Sequence, residues 1–143
     1  MAVADSLTLP HELREAIFAH ARDAAPDEAC GLIAGRDGVA TRIIRCRNIA
    51  EDRPRKYLID ASDLRRALIS MDDAGETDAQ GTRGEPLGIY HSHVRSRAYP
   101  SPTDIADALR WPHSFYVLVS LSEEPAIGAY RIRDGEVIPV GLR

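Results

Sequence analysis

The chain has 143 residues, 44% of them hydrophobic and 28% charged, with a formal net charge of −4. This is the make-up of a soluble domain large enough for one core and too small for two. The acidic balance disfavours a nucleic-acid binder, which shows a basic face. The longest apolar run, "FYVLVSL" at 115–121, is far short of the roughly 20 residues that span a bilayer.

In chain order, the start "MAVADSLTLP" lacks the basic and apolar stretches of a secretory signal, so a cytoplasmic protein without a membrane role is expected. "PHELREAIFAHARDAAP" (10–26) places Leu13, Ile17, Phe18 and Ala21 on one helical face between two prolines, leaving His11 and His20 towards its surface. "CGLIAG" (30–35) reads as a short apolar strand stopped by "RDG", and 39–49 as its hairpin partner. Cys30 and Cys46 have no metal-knuckle or redox spacing and read as reduced, buried thiols. "KYLID" (56–60) predicts a third strand, followed by a helix over 62–73 with Ser62 as N-cap and a Leu64, Leu68, Met71 stripe.

Residues 72–86 are polar and glycine-rich and read as a mobile surface loop. "LGIYHS" (87–92) has the look of a buried strand, and 102–110 of a short helix stopped at Trp111-Pro112, with His113 in a turn. Strands over 114–121, 126–132 and 136–140 complete the pattern. Strands mixed with about three helices predict a twisted sheet covered by helices, an α/β or α+β fold in a single domain, 1–143.

The chemistry concentrates in "YHSHVRSRAYPSPTD" (90–104). Residues two apart on a strand point to one side, so His91 and His93 can reach a single ion. Asp104 follows on the first turn of a helix. Two imidazoles and a carboxylate are the donor set of a catalytic Zn²⁺, with three protein ligands and a fourth position left for water. Hydrolysis then needs a general base and a donor to the oxyanion. Glu28, entering an apolar strand beside glycine, is the best base, because desolvation raises its pKa. Ser101 offers the donor hydroxyl. It is equally a helix N-cap, ahead of Pro102 at the first helical position and Asp104 near the positive end of the dipole. A His-x-His pair alone is weak; the constellation is far more specific than its parts.

His91-Ser92-His93, seven residues, Ser101, two residues and Asp104, with Glu28 upstream, resembles the complete signature of the JAMM/MPN+ (Mov34/JAB) zinc metalloproteases. The resemblance implies His91, His93 and Asp104 as ligands of one zinc ion per chain, Glu28 as acid/base and Ser101 as oxyanion donor. "PDEACGLIAG", "NIAEDRPRKYLID", "AYPSPTD" and "HSFYVLVSL" are similar to segments of the small bacterial peptidases that release cysteine from a sulfur-carrier protein. That likeness implies a curved mixed sheet flanked by helices, related to the cytidine deaminases. It implies as substrate a ubiquitin-like carrier of the ThiS/MoaD type, cut after its C-terminal Gly-Gly. A zinc deaminase is disfavoured, since no His-x-Glu with a later Cys-x-x-Cys is present. Trimming of carrier precursors, deconjugation of ubiquitin-like modifiers, and a non-catalytic MPN scaffold are the other readings. Arg53, Arg55, Lys56, Arg95 and Arg97 are candidates to hold the carrier's terminal carboxylate. Oligomeric state is not legible.

Overall fold

The computed structural model describes residues 6–76, 85–122 and 124–143. Its elements in order are β1 (Ser6–Leu7), α1 (His11–Ala24), β2 (Cys30–Arg36), β3 (Val39–Cys46), α2 (Ala61–Asp73), β4 (Gly88–His93), α3 (Pro102–Asp107) with a 3-10 turn (Ala108–Arg110), β5 (Phe115–Ser120), β6 (Ala126–Arg133) and β7 (Glu136–Leu142). The strands form one mixed sheet in the order β1-β7-β6-β5-β4-β2-β3. Pairs β4–β5 and β1–β7 are parallel, and the other neighbours antiparallel. Thr8, just past β1, bridges to Val39 at the far edge of the sheet. There Thr8 N donates to Gly38 O at 2.8 Å and Ala40 N to Thr8 O at 2.9 Å, so the sheet curls until its outer strands meet. Two hairpins turn on Asp-Gly pairs: φ is 53° and 76° at Asp37-Gly38, and 51° and 78° at Asp134-Gly135. Positive φ at both central residues is the turn whose twist matches paired strands, and aspartate and glycine tolerate it.

Every residue of β4 and β5 is buried, as expected of central strands covered on both faces. Alternation divides their side chains between two cores. Tyr90, Val117 and Val119 pack with Ile17 and Ala21 of α1 on one face. Ile89 and Leu118 pack with Leu32 of β2, with Ala67 and Met71 of α2, and with Ala108 beyond α3, on the other. Burial of a side chain such as Ile17 or Leu118 contributes about 1.5–3 kcal/mol. His91 and His93 share the parity of Ile89, so the sheet itself turns both rings towards α2 and α3.

Several expectations are corrected. Residues 56–60 form no strand; only Ile59 bridges, to Asn48. The side chain of Asn48 takes over the ladder's role: Nδ2 donates to Lys56 O at 2.9 Å, and Oδ1 accepts from Leu58 N at 3.1 Å and Ala50 N at 3.0 Å. The second strand accordingly stops at Cys46. Helix α2 is capped by Asp60, whose carboxylate accepts from Asp63 N at 3.0 Å, and Ser62 lies inside the helix. The same carboxylate pairs with Arg47 at 2.9 Å, which fixes it over the helix end. Residues 72 and 73 belong to α2, and 77–84 of the expected loop lie outside the described residues. His20 is half-buried and hydrogen-bonded to Tyr90 Oη at 2.7 Å. Cys30 and Cys46 are free, buried and directly opposite in the β2–β3 ladder. Burial pushes their thiols up to about 12 and about 11, away from reactive thiolate.

Candidate metal centre and cleft

Four acidic and imidazole side chains from two elements and one connecting segment converge where β4 ends. His91 and His93 come from β4, Asp104 from the third position of α3, and Glu28 from the residues just before β2. All four are buried. The pairing of β2 with β4 brings Glu28 in, because Cys30 lies opposite His91 in that ladder. Backbone bonds then fix its place: Glu28 N donates to Arg53 O at 2.8 Å, and Asn48 Nδ2 donates to Glu28 O at 3.0 Å. Ligand atoms of Glu28, His91 and His93 all lie within 4.8 Å of one another.

Asp104 Oδ2 is 3.1 Å from His91 Nε2 and 3.2 Å from His93 Nε2. His93 Nδ1 donates to Arg97 O at 2.8 Å, an acceptor only, which fixes the ring with Nε2 facing Asp104. His91 is held differently: its ring stacks on Tyr57, centroids 4.4 Å apart and 26° between planes, while its buried Nδ1 has no hydrogen-bond partner among the described residues. Burial pushes Asp104 up, but hydrogen bonds from His91 and His93 outweigh it and hold the carboxyl well below the usual range. Desolvation pushes Glu28 up to about 8, opposed by His93 and reinforced by Asp104 and Asp52.

These residues fit a zinc ion. Ligands at about 2.0–2.1 Å in a tetrahedron stand roughly 3.3 Å apart, close to the 3.1 and 3.2 Å between Asp104 Oδ2 and the two imidazole nitrogens. Buried Glu28 Oε1, without a hydrogen-bond partner among the described residues, adds an orphaned acceptor at the same place, which a dication and the water around it would satisfy. Two overlapping triads share the imidazoles, one closed by Asp104 in direct contact and one by Glu28 at longer range.

Ser101 caps α3: its Oγ accepts from Asp104 N at 3.1 Å, and Asp104 Oδ2 accepts from Ser101 N at 2.8 Å, a full capping box. In that cap the hydroxyl accepts, so its proton is left for another acceptor. A cleft of about 570 Å³ opens over the group, lined by Glu28, Asp52, Arg55, His93, Arg95 and Ser101 among others. The candidate carboxylate-binding arginines separate here. Arg53 pairs with Asp27 and Arg55 with Asp52, both at 3.2 Å. Arg97 lies over the Tyr99 ring at 4.5 Å. Arg95 has no side-chain partner among the described residues.

The sequence reading missed the supporting roles of three residues: Asn48, Tyr57, and Ser92, which it named only as part of the signature. Ser92 Oγ accepts from Ala29 N at 2.7 Å, and its N donates to Ala29 O at 3.1 Å. A small polar residue between two ligating histidines was the available signal for Ser92. Asn48 and Tyr57 gave none.

Residues 10–133 match the family described as prokaryotic homologs of the JAB domain. A CysO-cysteine peptidase of Mycobacterium tuberculosis is 39% identical over 135 residues, covering 92% of this chain and 86% of that protein. A desampylase of Haloferax volcanii is 31% identical over 121 residues, covering 80% of each. A solution structure from Desulfitobacterium hafniense superposes with TM-score 0.81 at 30% identity, over 96% of this chain and 91% of that one. The chain belongs to the JAB (JAMM/MPN+) family, in its prokaryotic branch, and is an enzyme of the metallopeptidase class.

Proposed function

We propose that this protein hydrolyses the amide bond after the C-terminal Gly-Gly of a ubiquitin-like sulfur-carrier protein and releases cysteine, using one Zn²⁺ held by His91, His93 and Asp104. The observation that carries the reading is the contact of one Asp104 oxygen with both imidazole Nε2 atoms, beside a buried Glu28 Oε1 that has no hydrogen-bond partner among the described residues. The likeness to the mycobacterial CysO-cysteine peptidase supports the substrate class. Residues 1–143 act as one catalytic domain, placed in the cytoplasm with its carrier. No helix among the described residues is long and apolar enough to cross a membrane.

When bound, the cation acidifies water and polarises the scissile carbonyl. The chain's residues do the rest. Asp104 and the Arg97 carbonyl hold the histidine rings in register. Glu28 takes the proton of the attacking water on its carboxylate and delivers it to the departing amine as the C–N bond breaks, so both ionisation states are used in turn. Its raised pKa, from desolvation, suits it to hold that proton near neutrality. The Ser101 hydroxyl proton meets the carbonyl oxygen as charge grows there.

The test is a substrate panel with zinc-loaded enzyme: a ubiquitin-fold carrier ending Gly-Gly-Cys, the same carrier with a precursor tail, the carrier joined to a lysine side chain, and an unrelated peptide. Cleavage of the cysteine conjugate, abolished by chelation and restored by zinc, is expected. The desampylase likeness favours the lysine conjugate as a second reading. Preferential cleavage of that conjugate would replace the first.

A further inference from the structure

We infer that Arg95 is the specificity residue of this cleft, receiving the free α-carboxylate of a one-residue leaving group; this rests on the peptidase reading above. Arg95 follows His93 by two residues as the chain leaves β4, and it lines the cleft that also holds Glu28, His93 and Ser101. The other arginines of the neighbourhood are occupied by Asp27, Asp52 and the Tyr99 ring. Arg55 shares the cleft wall, but Asp52 on the same wall opposes its charge. Arg95 is exposed and has neither an ion pair nor a side-chain hydrogen bond among the described residues. Among the described residues it is the arginine of this cleft wall whose planar fork has no partner.

The chemistry of the two candidate substrates differs at one place. Cysteine joined through its α-amine to Gly-Gly carries a free carboxylate two bonds from the scissile nitrogen. A protein lysine joined through its side chain carries none there. A planar fork with parallel N–H donors grips a carboxylate in two hydrogen bonds and fixes its orientation. Arg95 therefore selects for release of a single amino acid and against deconjugation from lysine.

The experiment uses two substrates made on a ubiquitin-fold carrier, ending Gly-Gly-cysteine and Gly-Gly-cysteinamide, with wild-type enzyme, Arg95→Ala and Arg95→Lys, all zinc-loaded. Hydrogen bonds between charged partners are lost at a cost of roughly 10- to 100-fold. Wild type is expected to prefer the acid over the amide by that factor in kcat/KM. Arg95→Ala should lose that much on the acid, change under about 3-fold on the amide, and so erase the preference, with Arg95→Lys between; this is a coupling between residue and carboxylate. Equal cleavage of acid and amide by wild type leaves the peptidase reading standing and removes the clamp. An equal loss on both substrates in Arg95→Ala also removes it. No cleavage of either by wild type overturns the proposed function and the clamp together.

Discussion

The hydroxyl of Ser92 accepts the backbone N–H of Ala29 at 2.7 Å, with both groups buried, tying the residue between the two histidines to the residue after Glu28. Base and ligands are thus spaced by one short bond as well as by the β2–β4 ladder. Ser92→Ala leaves a buried N–H without its partner, at about 1–3 kcal/mol. Urea unfolding should show that loss, and kcat should fall even where the protein remains folded, because Glu28 is no longer held against His91. Unchanged stability and rate would show the bond to be incidental.

Glu28→Gln keeps the shape of the side chain and removes its proton transfer. Metal analysis should find zinc retained, while kcat falls by at least about 100-fold. Asp104→Ala should fail on both measures, since Oδ2 contacts both Nε2 atoms. Full zinc occupancy in Asp104→Ala would exclude it from the ligand set and leave Glu28 to close the triad.

Ser101 is asked to cap a helix and to donate to the developing oxyanion, and two substitutions separate these roles. Ser101→Ala loses both, at about 1 kcal/mol of stability and about 2–4 kcal/mol of barrier. Ser101→Asp keeps the cap but has no hydroxyl, so melting should stay near wild type while the rate still falls. A Ser101→Asp variant with wild-type kcat would leave the cap as the whole function of the residue.

His20 gives the fold a pH dependence apart from the site. Burial, with Arg45 adding to it, lowers its pKa from 6.5 to about 4. The unfolded chain therefore takes up a proton at a pH where the folded one does not. The contribution is complete above pH 6.5 and is lost as pH falls towards 4. Discounted for the half-exposed ring, it is about 1–2 kcal/mol. His20→Gln, which retains a hydrogen-bonding group for Tyr90, should flatten the stability curve between pH 7 and pH 4.5 by that amount. Parallel curves for variant and wild type would assign the acid sensitivity to other groups.

How much was legible follows the range of each signal. The periodicity of α1, the apolar runs of β4 and β5, and the Ser-Pro-x-Asp start of α3 act over a few residues and read correctly. The stretch 56–60 misled because its short apolar run, Tyr57-Leu58-Ile59, suits a strand, whereas the Asn48 side chain binds the backbone that a ladder would have used. At α2 two acceptors stood two residues apart, and the Arg47 pairing of Asp60 decided between them. Strand β1 pairs over only two residues and leaves almost no pattern to see.

By itself the sequence determined the donor types and their local geometry: imidazoles two apart on a strand, and a carboxylate on the first turn of a serine-capped helix. Those follow from bond lengths, the strand's period of two and the needs of a helix end. Only the tertiary structure decided that Glu28 faces them. Ala29 and Ser92 are 63 positions apart and touch because β2 lies beside β4. It also decided which arginine of the cleft has no partner among the described residues and that Tyr57 stacks on His91. Such contacts arise from burying the whole sheet at once, a global minimum that no short window of residues encodes.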